Sequence, residues 1–382
     1  MKFATKVIHA GIKPDAGTGA IMTPIFQTST YVQEAPGVHK GYEYGRTQNP
    51  TRTALQQNLA ALENARYGVC FASGLAATDS VMRRLQPGDE VIACNDLYGG
   101  TYRLFVRVFQ KYGIKFHFVD MHQPQNVLPL VNERTKMMWV ETPTNPMLGV
   151  VDIAAISEIC KTNGILLCVD NTFASPYLQN PIDWGADVVV HSVTKYLGGH
   201  SDVIMGAVMC NDEAFYQHLT FHQNAVGAVP APMDCFLVLR GVKTLHLRME
   251  AHCKNAAQVA AFLATHKAVA KVNYPGFETH PNHAVAKRQM RGFGGMVSFS
   301  LKQDTMEAAV KVLSNTHLFS LAESLGGVES LIGHPATMTH ASIPFEERQK
   351  TGVLDSLLRL SVGIEDPTDL IADLEQALNR VL

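Results

Sequence analysis

Between residues 67 and 210, short unbroken apolar runs alternate with stretches whose apolar positions recur at helical spacing. The runs fall at 67–72, 90–94, 115–119, 136–141, 165–170, 187–191 and 204–210. Each is short enough for a strand, and none alternates strictly as a sheet with one wet face would, so helices are expected on both faces. The pattern predicts an α/β fold with a mostly parallel central sheet. Ligands of such sheets bind beyond the carboxyl ends of the strands, where Glu141, Asp170 and Ser192 fall.

The flanks read differently. Residues 1–48 lack a strong period and are rich in Gly, Pro and Thr, which predicts an extended arm that packs on something else. Asn49-Pro50-Thr51 then opens an amphipathic helix through Leu55, Leu59 and Leu62, with the proline where a helix tolerates it. After about 240 the pattern predicts a helix over 242–263, strands at 271–274 and 296–301, a helix over 306–313, a strand at 357–362 and a terminal helix over 368–381. The chain therefore divides into an arm (1–48), a large α/β domain (49–240) and a smaller α+β domain (241–382).

Composition narrows the classes. Of 382 residues, 46% are hydrophobic and 17% charged, as in a globular protein with a large core. A net charge of −2 leaves no electrostatic footprint for nucleic acid or an acidic membrane. The cysteines (Cys70, Cys94, Cys160, Cys168, Cys210, Cys235, Cys253) form no Cys-x-x-Cys pair and lie mostly in apolar runs, as reduced core residues do. The first residues carry no signal-peptide pattern and no run is long enough to span a bilayer, so a soluble cytoplasmic protein is expected. His191 and His200 flank Lys195 without ligand-like partners, and no metal is expected.

The chemistry centres on Ala186-Asp187-Val188-Val189-Val190-His191-Ser192-Val193-Thr194-Lys195. A lysine just beyond a buried strand is costly unless it is paired or loses its charge. The hydroxyls of Ser192 and Thr194 suit a phosphate and the lysine a Schiff base, a combination that points to pyridoxal phosphate (PLP). Asp170, ending Ile165-Leu166-Leu167-Cys168-Val169, either holds a pyridine nitrogen protonated or caps a turn with Asn171. Ser73-Gly74-Leu75 is either a phosphate cradle at a helix start or an ordinary cap. Tyr98, in Asp96-Leu97-Tyr98-Gly99-Gly100-Thr101, either stacks on a cofactor or only packs. Arg359, inside Leu357-Leu358-Arg359-Leu360-Ser361-Val362, either forks a substrate carboxylate or makes a structural ion pair.

These segments, with Tyr42-Glu43-Tyr44-Gly45-Arg46-Thr47-Gln48-Asn49-Pro50-Thr51, Glu141-Thr142-Pro143-Thr144-Asn145-Pro146 and Leu321-Ala322-Glu323-Ser324-Leu325-Gly326-Gly327, resemble the PLP enzymes of cysteine and methionine metabolism. That family includes the cystathionine γ-lyases and γ-synthases, and the resemblance runs along essentially the whole chain. It implies the fold-type-I, aminotransferase-like architecture and a homotetramer of two active dimers. Lys195 would hold PLP as a Schiff base and then shuttle protons. Asp170 would pair with the pyridine nitrogen, and Tyr98 would stack on the ring and act as acid or base. Gly74, Leu75, Ser192 and Thr194 would hold the phosphate, joined by Tyr44 and Arg46 from a neighbouring subunit. Asn145, Ser324 and Arg359 would bind the substrate carboxylate, and Glu43 or Glu323 would attract the distal ammonium of a diamino acid.

The resemblance implies elimination or replacement at the γ-carbon of a sulfur amino acid. Methionine γ-lyases carry a cysteine where this chain has Gly100, β-lyases usually a tyrosine where it has Glu323, and the related sulfhydrylases tend to be longer. Met147-Leu148-Gly149-Val150-Val151-Asp152 and His340-Ala341-Ser342-Ile343-Pro344 lean toward a γ-lyase, with γ-synthase as the alternative. An aminotransferase or a non-catalytic PLP-fold binding module remains open. A short-chain dehydrogenase is disfavoured, because the tyrosine it needs four residues before the lysine is His191 and no Gly-x-Gly-x-x-Gly opens the first strand–helix turn.

Overall fold

A computed structural model describes residues 1–339, 346, 348 and 351–382. All the strands expected between 67 and 210 form: β1 (Tyr67–Phe71), β2 (Glu90–Cys94), β3 (Lys115–Val119), β4 (Thr135–Glu141), β5 (Leu166–Asp170), β6 (Val188–Ser192) and β7 (Gly206–Cys210). They make one sheet of order β1-β7-β6-β5-β4-β2-β3, in which only β7 runs against its neighbours. Strand periodicity explains the unbroken apolar runs. In β6, Val188 and Val190 enter the core with Phe105 and Trp139, while Val189 enters the opposite core with Leu55 and Leu59 of helix Pro50–Leu62. That helix starts where proline placement predicts, with the Asn49 side chain accepting from the N–H groups of Thr51 and Arg52.

A second sheet has the order β10-β11-β12-β9-β8, from β8 (Val269–Asn273), β9 (Met296–Leu301), β10 (Ser320–Leu321), β11 (Leu331–Gly333) and β12 (Leu357–Ser361). All five residues of β12 are buried. Alternation sends Leu358 and Leu360 into a core with Val259, Leu263, Leu370 and Leu374, and leaves Arg359 and Ser361 on the other face, toward the first sheet.

Three details differ from the sequence expectation. The helix expected over 242–263 forms as Leu245–Thr265, and a separate helix not expected from the sequence, Pro232–Val242, precedes it. The Gly241 carbonyl explains the break, since it accepts from the Thr244 N–H, the Thr244 hydroxyl and the Arg248 guanidinium. The arm begins with a helix, Phe3–His9, whose Val7 is fully buried in the core with Leu55 and Leu59; seven residues are too few to show a period. The terminal helix spans Pro367–Leu378 and tightens into a 3₁₀ turn over Asn379–Val381. No helix among the described residues is long and apolar enough to cross a membrane. The segment His340–Pro344 lies outside the described residues.

Candidate active site

Strand β6 ends at Ser192 and the chain turns through Thr194 to Lys195, so the lysine stands at the carboxyl edge of the sheet. Its Nζ donates to Ser324 Oγ at 2.8 Å. Burial, and then the neighbouring Arg359 guanidinium, push the Lys195 amine down to about 8, with Glu323 pulling the other way. A lysine tuned in this way is neutral often enough near pH 8 to act as nucleophile or base.

The next two strands bring two carboxyl groups together, because Asp170 of β5 pairs in register with Glu141 of β4. Asp170 Oδ1 accepts from the Thr172 N–H (3.0 Å) and hydroxyl (2.6 Å), and Thr172 Oγ1 in turn accepts from the Ser192 N–H (2.9 Å). Glu141 Oε2 accepts from the Tyr98 N–H at 2.9 Å. Burial raises both carboxyls, and their mutual repulsion raises Glu141 further. Neither has a cationic side chain within salt-bridge reach among the described residues. Asp170 caps its turn through Thr172, and with its carboxyl raised by burial it would be held ionised by a cation placed beside it.

Helix Gly74–Met82 begins beside this pair. Ser73 caps it through the Ala76 N–H, which leaves the first N–H groups, at Gly74 and Leu75, facing outward. A Cβ on Gly74 would lie 3.0–3.2 Å from Ser192, so a side chain there would fill the space between helix start and strand end. The Thr194 hydroxyl, in contrast, already donates to the Met205 carbonyl (3.2 Å) and accepts from the Met205 N–H (3.0 Å). Tyr98 sits at the start of helix Gly99–Arg107, 39% exposed, with its ring pressed on Gly100, where a Cβ would come within 2.3 Å of it.

The second sheet supplies the other wall. Arg359 is buried and, among the described residues, has no carboxylate within salt-bridge reach; its Nη1 donates to Asn145 Oδ1 and its Nη2 to the Ser324 carbonyl, both at 2.9 Å. Ser324 holds φ at +121°, a conformation that costs a residue with a side chain about 1–3 kcal/mol and persists only where contacts impose it. Here Lys195 and Arg359 grip its hydroxyl and carbonyl, and Gly326 follows because a Cβ there would strike the Tyr196 backbone at 2.7 Å. Glu323 lines a narrow cavity with His334, Met338 and Arg359.

The arm residues stand apart. Arg46 donates to the carbonyl (2.6 Å) and side chain (2.8 Å) of Asn224 and lies over the Tyr44 ring, while Glu43 is exposed. None of the three bonds Lys195, Asp170, Gly74 or Ser192 of its own chain among the described residues.

Sequence reasoning assigned no role to Thr172, which links Asp170 to Ser192, or to Glu63. The buried Glu63 carboxylate accepts from His191 Nε2 (2.5 Å) and from the amides of Asn171 (2.8 Å) and Asn180 (3.2 Å), bracing the residues that flank Asp170 and Ser192. The available signal was a glutamate directly after the apolar helix 50–62, in a position the fold buries completely.

Pyridoxal phosphate suits these side chains: a lysine with a lowered pKa, an uncompensated buried carboxyl pair for a ring cation, and a helix start that only glycine leaves open. The comparisons agree. The family described as Cys/Met metabolism PLP-dependent enzyme matches residues 4–379. A cystathionine β-lyase of Coxiella burnetii is 56% identical over 98% of this chain and 97% of its own length. A cystathionine γ-lyase of Dictyostelium discoideum is 52% identical (99% and 98% covered), and a cystathionine γ-synthase of Mycobacterium tuberculosis 51% (98% and 96%). The crystal structure of metB from Corynebacterium glutamicum superposes with a TM-score of 0.98 at 49% identity, covering 100% of this chain and 99% of that one.

Proposed function

Because the chain belongs to the PLP-dependent enzymes of cysteine and methionine metabolism, with their fold-type-I α/β architecture, we propose that it cleaves cystathionine at the γ-carbon, giving cysteine, 2-oxobutyrate and ammonia. PLP, when bound, supplies an electron sink that makes the protons next to the substrate α-carbon removable. The chain's own groups do the rest. Arg359 and Asn145 grip the substrate carboxylate, and Ser324 fixes Lys195 beside it. Lys195 takes the proton from Cα, gives it up to the acceptor the bound cofactor would supply, and with its amine neutral again takes one from Cβ, so that the Cγ–S bond can break. Tyr98 returns a proton to the departing sulfur. Glu323, on the cavity beside Arg359, attracts the distal ammonium.

The observation that carries this reading is the contact of Lys195 Nζ with Ser324 Oγ, on the residue whose carbonyl also holds Arg359. It sets the base next to the carboxylate grip, as α-carbon chemistry needs. Gly100 favours cystathionine over methionine as substrate, since a cysteine there would displace the Tyr98 ring. The wider proposal includes the division at 48 and 240, a cytoplasmic homotetramer, and Tyr44 and Arg46 reaching a neighbour's phosphate.

A second reading, γ-replacement of an activated homoserine ester by cysteine, uses the same residues, and relatives carry the γ-synthase name as well as both lyase names. Incubation with cystathionine decides. Release of 2-oxobutyrate with cysteine supports the proposal, and pyruvate with homocysteine replaces it by β-cleavage. Cystathionine formation from an O-acylhomoserine and cysteine, without keto-acid release from cystathionine, replaces it by γ-replacement.

A further inference from the structure

The loop that carries Asn145 is anchored on its apolar side by Leu148 and Val150, which are buried in the core with Leu55 and Leu59, and Asp96 reaches into its polar side from the turn before Tyr98. Asp96 is buried, and its carboxylate accepts from the Thr144 hydroxyl and from the Met147 N–H. The hydroxyl's direction is determined: Thr144 Oγ1 already accepts from the Gly149 N–H at 2.8 Å, so its single proton points to Asp96. The backbone closes the same loop, Thr144 N–H to the Gly149 carbonyl (2.9 Å) and Leu148 N–H to the Thr144 carbonyl (3.1 Å). A Cβ on Gly149 would lie 1.8 Å from His122 Nε2, so a side chain there would have to displace that imidazole. Glu141 makes a parallel tie, accepting from the N–H groups of Tyr98 and Asn145.

We propose that Asp96, through Thr144, is a positioning residue that clamps the Asn145 loop to the Tyr98 turn, holding the Asn145–Arg359 carboxylate grip in register with the ring face. The clamp touches neither substrate nor cofactor. It acts on Asn145, adjacent to Thr144, and Asn145 Oδ1 orients Arg359. Asp96 is ionised when it accepts both bonds. Burial raises its carboxyl to about 6, with His122 opposing and Asp120 adding to the rise; Cys94 and Glu141 are the other titratable groups packed there. Protonation of Asp96 removes one acceptor site, so the clamp loosens as pH falls through about 6.

The inference rests on Arg359 and Asn145 binding the substrate carboxylate, and the test separates the two. In the cofactor-loaded protein, Thr144→Val is expected to raise the KM for cystathionine roughly tenfold, with kcat within about threefold and the visible cofactor band unchanged. Thr144→Ser, which keeps the hydroxyl, restores KM. Asp96→Ala, which also strips the Met147 N–H of its acceptor, raises KM at least as far as Thr144→Val, and the double variant is no worse than Asp96→Ala, as for a shared contact. The parent KM rises below pH 6, and that of Thr144→Val rises less. An unchanged KM in Thr144→Val while Arg359→Lys raises it overturns the clamp; an unchanged KM in Arg359→Lys overturns the carboxylate reading instead. If Asp96→Ala does not fold, the two Thr144 variants and the pH profile carry the test.

Discussion

The wall of the site made by Lys195, Asp170, Glu141, Ser324 and Arg359 is held by bonds within one chain, whereas on the arm Arg46 meets Asn224 and the Tyr44 ring, and Glu43 and Tyr44 are exposed. In the first region each polar group ends a buried strand or is gripped by one, and burial tunes it: Lys195 down to about 8, both carboxyls up. In the second, Tyr44 is 43% exposed. Under the proposed function the reacting centre is preorganised within the single chain, and the arm would contribute where a second copy brings it to the cradle.

The largest break expected in this contrast is at Lys195. Lys195→Ala should lower kcat by at least about 10⁴-fold while leaving the thermal midpoint no lower, since a buried amine is removed. Arg46→Ala should act on another quantity: the cofactor dissociation constant rises by roughly tenfold, the catalytic rate at saturating cofactor changes little, and the loss deepens on dilution as the assembly comes apart. An effect independent of protein concentration would place Arg46 in its own chain's site. The smallest effect is expected at Glu323, which is exposed. Glu323→Ala should raise the cystathionine KM only about two- to fivefold, less at high salt, and an unchanged KM would remove its ammonium role.

The first region also has a pH signature. The Lys195 amine must be neutral to capture the cofactor aldehyde, so the uptake rate of the cofactor-free protein should rise with pH and level off above about 8, against about 10.4 for an unperturbed lysine. Stability follows the same sign. Between those two values the unfolded chain binds more protons at this position than the folded one, so Lys195 makes the cofactor-free fold gain stability as pH rises through that window. A rapid-mixing absorbance series from pH 6 to 10 measures the first; urea unfolding over the upper half of that range measures the second.

The contrast also explains what could be read from the sequence. Strand runs and the polar residue ending each are local features, so β1 to β7, Asp170, Ser192 and Lys195 were visible in the order of residues. Arg359 was visible because a guanidinium inside an apolar strand is conspicuous. The supporting groups were not. Glu63 lies 128 residues from His191, and Asp96 lies 48 from Thr144; each has meaning only once the sheet brings them together. The two-residue β10 and the three-residue β11 are too short to show any period, although they flank the strained Ser324. A role for Tyr44 and Arg46 is legible only through family resemblance, because among the described residues their side-chain bonds and ring contacts within this chain are only with Asn224 and each other.

Borohydride reduction of the cofactor-loaded protein, followed by peptide mass mapping, tests the central assignment most directly. Reduction converts a lysine–cofactor Schiff base into a stable secondary amine. The account predicts the pyridoxyl label on the peptide containing Thr194, Lys195 and Tyr196, and none on the corresponding peptide of Lys195→Ala. A label on any other lysine, or a parent protein that binds the cofactor and takes no label, would contradict it.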